Sequence, residues 1–180
     1  IQASMAGISD MNLLVHLMLK NQAQDELRYW YHEADLTMLD KYWQQAFSLP
    51  SYFVNNYKVD ENQNEAVMDV NLNITLGKAI SASGNRIFVL PAFTNAIDKK
   101  LQRDTARVNS IYLRHGYTEM DTFEMMVPFG YRLESGPKSM LLENTFGSYQ
   151  LEMVQTPEKL RLIRKRIQKA GIYDKSLYEL

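Results

Sequence analysis

From Met11 to Leu19 the chain alternates. Leu13, Val15, Leu17 and Leu19 share one side, and Leu14, His16, Met18 and Lys20 the other. A repeat of two is the strand period, and the uniformly apolar first set should face a core. Gln2 to Met5 also reads as a strand, with Gly7 and Asp10 as punctuation. Asn21 to Gln24 reads as a polar turn, and Leu27, Tyr29 and Tyr31, alternating with Arg28, Trp30 and His32, as a return strand. The period then changes. Leu36, Leu39, Tyr42, Trp43, Ala46 and Phe47 recur at helical spacing, which predicts one amphipathic helix over 35–47, capped by Asp35 and left at Pro50.

Period two returns at Tyr52 to Val59 and at Ala66 to Leu76. In the second run Met68, Val70, Leu72, Ile74 and Leu76 are all apolar and the intervening residues mostly polar, so one face is covered and the other wet. Arg86 to Leu90 is a short strand that Pro91 stops. The 92–109 segment is sparse in apolar residues and reads as a solvated loop with one helical turn. Ser110 to Leu113 and Tyr117 to Val127 follow as strands. The remainder, Asp121 to Ile167, consists of short alternating runs cut by Pro and Gly, the pattern of consecutive antiparallel strands. The expected fold is mainly β: an antiparallel β-sandwich with one amphipathic helix, in a single domain over 1–180. A semi-separate lobe over 1–49 is the alternative.

Composition adds exclusions. The 180 residues are 46% hydrophobic and 23% charged, with a net charge of −1, so no global field draws nucleic acid or an anionic membrane. The absence of Cys removes a thiol nucleophile, a Cys-ligated zinc and any disulfide. No apolar run reaches the ~20 residues that span a bilayer, and no signal peptide is visible. The start at Ile1 rather than Met leads us to expect a fragment or processed product.

One ordered set of residues carries a resemblance. Arg107 to Ile111, Tyr117, Asp121, Val127-Pro-Phe-Gly-Tyr131, Glu134, Pro137, Phe146-Gly-Ser-Tyr149, Arg164, Gly171-Ile-Tyr173 and Tyr178 are similar in order and spacing to the C-terminal domain of unknown function of exported Bacteroidetes transglutaminase-like proteins. The likeness is looser over Tyr52 to Pro91. Family members usually run past the last Tyr into a short helix, whereas this chain stops at Leu180. The resemblance implies a non-catalytic accessory β domain following a papain-like transglutaminase core in the same polypeptide, and a periplasmic or extracellular location. It transfers no catalytic residue, because the family's Cys, His and Asp lie in that core, and it implies no cofactor. The matching residues also have structural explanations. Pro128 and Gly130 suit a corner, Gly147 a tight bend, and Tyr131 and Tyr149 a buried ring with a wet hydroxyl.

Candidate chemistry is thin. His16, His32 and His115 form no metal-binding spacing; His16 and His32 approach each other only if Asn21 to Gln24 is a hairpin turn. Glu119, Asp121, Glu124 and Glu134 could supply the carboxylate pair of a hydrolase, against the plainer reading of outward acids on a sheet. Trp30, Tyr29 and Tyr31, with Tyr42 and Trp43, could form a platform on which a sugar stacks, against the plainer reading that most are core. Lys159 to Lys169 carries six basic residues, for which a basic edge strand is a simpler account than nucleic acid. The expected role is therefore an accessory domain with a structural or interaction part, with a glycan-binding module as the alternative and a carboxylate hydrolase third. An exposed, coplanar aromatic pair beside a groove would favour the glycan reading.

Overall fold

A computed structural model describes residues 1–95 and 108–179. Most of the expected 92–109 loop lies outside the described residues. The chain is mainly β, with mostly antiparallel strands and two short helices. It divides into two compact units, residues 1–97 with 123–126, and residues 98–122 with 127–180.

The first unit is built on β1 (Gln2–Ala6), β2 (Asp10–Lys20), β3 (Tyr52–Asn62) and β4 (Val67–Leu76), in the order β3-β4-β2-β1. All of these pairs are antiparallel. Beyond them, β1 meets the end of β8 (Tyr117–Met126) in parallel, Gln2 opposite Glu124 and Ala3 opposite Met125. Register follows the hydrophobic pattern. Leu13 sits opposite Ile74, Val15 opposite Leu72 and Leu17 opposite Val70, so the apolar sets of β2 and β4 share one face. The other face is polar: Asn73 donates to Asn56, Lys58 pairs with Asp60, and His16 meets Asp69 at 3.0 Å.

Two helices complete this unit, α1 (Gln22–Glu33) and α2 (Leu36–Trp43). The return strand expected over Leu27 to Tyr31 is therefore a helix. Tyr and Trp favour strands in isolation, but Gln22 to Arg28 is a run of good helix formers, and a helix buries Leu27 completely against β2 and β4. His16 and His32 are consequently not cross-strand neighbours. His32 instead meets Glu61 at 2.8 Å, and Arg28 meets the same carboxylate at 2.9 Å, tying α1 to β3. The His32 hydrogen bond, against the opposing effect of burial and with help from the Arg28 charge, holds the Glu61 carboxyl below its usual range.

The second helix starts where expected: the Asp35 carboxylate accepts from the Met38 backbone N–H at 2.8 Å. It ends at Trp43, short of the expected Phe47. Leu39 and Trp43 are buried while Leu36 is exposed, so the apolar stripe is narrower than its periodicity implies. Gln44 then turns its amide onto β3, donating to the Val54 carbonyl and accepting from the Val54 N–H, both at 3.1 Å. The Tyr52 hydroxyl donates to the Trp43 carbonyl and accepts from the Phe47 N–H. The hairpin β5 (Ile80–Ser83) and β6 (Arg86–Val89) adds Ile80 to the core.

The second unit contains β9 (Met140–Asn144), β10 (Gly147–Gln155) and β11 (Lys159–Gln168), with β11 between β10 and β8. Short strands β7 (Ile111–Leu113) and β12 (Gly171–Tyr173) pair with each other. Residues 127–139 form no strand. Pro128 and Tyr131 close a turn in which Gly130 takes φ +84°, the corner expected. Gly147 starts β10 where a Cβ would stand 1.9 Å from the Ile167 carbonyl oxygen, so the site admits no side chain without moving β11. The basic run is β11, an interior strand and not the expected edge. Two of its three arginines are neutralised from β8: Arg164 binds Asp121 through Nε at 2.9 Å and Nη2 at 2.6 Å, and Arg166 binds Glu119. Arg166 also lies over the Tyr117 ring, at 5.2 Å.

Two tests follow from these ties. Arg164→Met leaves the part-buried Asp121 carboxylate without the guanidinium from which its Oδ2 accepts twice, and urea unfolding should show a loss of about 1.5–3 kcal/mol. Adding Asp121→Leu should recover most of it, since a matched apolar pair costs little. For Glu61, a carboxyl held low in the folded state stabilises above its unfolded pKa and loses that contribution as pH falls through the folded pKa. Glu61→Gln should therefore lower the melting temperature at neutral pH, and the gap from the parent should close as the solution is acidified below the carboxylate range.

Candidate functional site

An aromatic cluster that borders an open space lies in the first unit, between α1 and α2. Trp30 on α1 and Tyr42 on α2 are both half-buried, with ring centroids 5.7 Å apart and planes 31° from parallel. They line a groove of about 450 Å³ with Glu26, Met38, Lys41, Gln45 and Ala46. Helical spacing assembles it. Glu26 and Trp30 are four apart on α1 and Met38 and Tyr42 four apart on α2, so each pair shares one helix side, and Gln45 follows in the turn after α2. The groove thus offers two tilted ring faces, one carboxylate, one ammonium and one amide.

Burial, and then the Glu26 charge, raise the Tyr42 hydroxyl pKa above its ordinary value, so that hydroxyl stays a neutral donor and acceptor at physiological pH. Behind the groove lies a layer of further aromatic rings. Trp43 lies edge-on to Tyr42 at 4.9 Å and stacks on Phe47 at 6.1 Å. Tyr57 lies 5.8 Å from Trp43 and donates to Asp40 at 2.9 Å; burial and that bond push its pKa up to about 12. The Trp43 indole N–H is buried without a hydrogen-bond partner among the described residues.

The five aromatic candidates therefore separate. Trp30 and Tyr42 face the groove, and Trp43 is core. Tyr29 is 65% and Tyr31 39% exposed, so neither is core. Tyr29 stands nearly perpendicular to Trp30, at 78°, and Tyr31 lies edge-on to His32. Trp30, Tyr29 and Tyr31 do not form one flat platform. Glu26, Lys41 and Gln45 went unnoticed in the sequence because Glu26 joins the other two only once residues 22–33 are helical.

The other candidates are dispersed. Glu119 and Asp121 each hold an arginine, Glu124 has the opposite strand parity on β8, and Glu134 lies in the 127–139 segment. His115 contributes its backbone carbonyl, which accepts from Gln168. No group of three or more His, Cys, Asp or Glu able to hold a metal occurs among the described residues. No helix there is long and apolar enough to cross a membrane.

Comparison with known proteins gives one match. No curated protein and no solved structure matches the chain. A family model matches residues 85–180, just over half of it, from the turn before β6 to beyond β12. The chain belongs to the family described as "Domain of Unknown Function with solved-structure structure (DUF3858)".

Proposed function

We propose that this chain is a non-catalytic accessory part of a larger exported polypeptide, attached to a papain-like transglutaminase core and serving a structural or interaction role. The family match over residues 85–180 carries this reading, because it falls on the region whose residues resemble the domain that follows such a core. Two features support it. The chain has no Cys, and the acids best placed for hydrolysis, Glu119 and Asp121, are held by arginines. The polypeptide preceding Ile1 is the direct test. It should contain a core with a Cys nucleophile and a His and Asp to activate it; a preceding region of unrelated fold would remove the proposal.

A second reading is favoured by the groove. A glycan-binding role would use the Trp30 and Tyr42 faces for the apolar side of a pyranose ring, with Glu26, Lys41 and Gln45 left to bond its hydroxyls. A neutral polyol suits this lining, which carries one acid against one base. Trp30 fluorescence titrated with a panel of neutral oligosaccharides should change in a saturable way. Trp30→Ala should weaken binding by about three- to tenfold, the worth of one stacking contact. A response that is flat across the panel, or that survives Trp30→Ala unchanged, rejects the glycan reading and leaves the accessory role standing.

A further inference from the structure

The strand order of the first unit ends at β3 and that of the second at β9, and the two edges are treated very differently. An unpaired edge presents N–H and C=O groups to any passing strand, and natural sheets blunt it with bulges, charges or covering groups. The β3 edge has all three: the Gln44 amide occupies both polar groups of Val54, the register shifts between Val54 and Asn56, and Lys58, Asp60 and Glu61 follow. The β9 edge has almost none. Its register with β10 is unbroken from Met140 to Asn144, it contains no proline, and Glu143 is its only charge. Met140, Leu141 and Leu142 are 46%, 58% and 59% exposed, three successive apolar residues open to solvent. A run of this kind is disfavoured on a free surface unless it is used. Beside it lies a groove of about 300 Å³ lined by Ser139, Met140, Leu141, Gln150, Leu151 and Glu152.

We propose that β9 is a strand-addition site through which two copies of this chain pair, antiparallel and centred on Leu141. The sequence of β9 argues for a second copy. A two-fold axis normal to the sheet keeps each side chain on its own face, so residues of equal parity must meet. Centring on Leu141 sets Leu141 against Leu141 on one face, and Met140 against Leu142 twice on the other. Glu143 then stands opposite Ser139, so no acid meets an acid. All three exposed apolar residues of each copy are covered by those of its partner, and the backbone groups along both edges are paired.

Sedimentation equilibrium of the 1–180 chain from micromolar to millimolar concentration tests this. A monomer–dimer equilibrium is expected, and Leu141→Lys, a natural edge-blocking residue, should raise the dissociation constant by at least about tenfold. Ile172→Lys, which changes a still more exposed apolar residue on β12, should leave it unaltered. Amide exchange at Leu141 and Glu143 should slow as the parent chain is concentrated, a readout that needs no variant. A monomer at every concentration, or a dimer as tight in Leu141→Lys as in the parent, overturns the proposal. The first outcome would leave the edge to a strand of different sequence.

Discussion

The face shared by β2 and β4 is the constraint on which the first unit depends. Leu13, Val15, Leu72, Ile74 and Val70 are fixed on one side by strand parity, and register locks them opposite one another. A one-residue slip would turn that whole set into water. Such a face must be covered, and the chain does it with Leu27, Leu39 and Trp43 from two short helices. Each fully buried side chain of this size contributes about 1.5–3 kcal/mol. Neither helix is long enough to persist alone; both are held by what they cover, and by the His32–Glu61, Tyr57–Asp40 and Gln44–Val54 contacts.

The second unit solves a different problem. Between β8 and β11 the paired side chains are charged, Asp121 with Arg164 and Glu119 with Arg166. Ion pairs of this kind are poor sources of stability compared with apolar packing, but they tolerate few alternatives, because a shifted register would strand a buried charge. Where β2 and β4 set register by hydrophobic parity, β8 and β11 set it by charge. Gly147 plays a comparable part at the start of β10, as the close Ile167 carbonyl excludes any residue with a side chain.

These differences explain what was legible in the sequence. Strict alternation made β2 and β4 readable, face by face, and Asp35 marked the start of α2. Residues 22–33 were not readable, because only Leu27 is a fully buried apolar residue and Gln24 is buried beside it, leaving the helical stripe too thin to outweigh Tyr29, Trp30 and Tyr31. The groove was lost with that helix: its polar members Glu26, Lys41 and Gln45 are ordinary surface residues until two helices are set side by side. The basic run was misplaced to an edge for a related reason. A cation looks solvated in a sequence, and nothing local in β11 reveals that Asp121 and Glu119, more than forty positions away, meet it. The Pro128–Gly130 corner was legible because glycine at positive φ is a local signal.

The pair of hydrogen bonds between Gln44 and Val54 has an implication for misfolding. One side chain both terminates α2 and occupies the outward polar groups of β3, so fraying of that helix and unmasking of that strand are a single event. Heat that loosens the last turn of α2 would release a sticky border well before the sheet behind it melts. Clumping on warming would then begin from a nearly native molecule, and the glutamine acts as a latch against it.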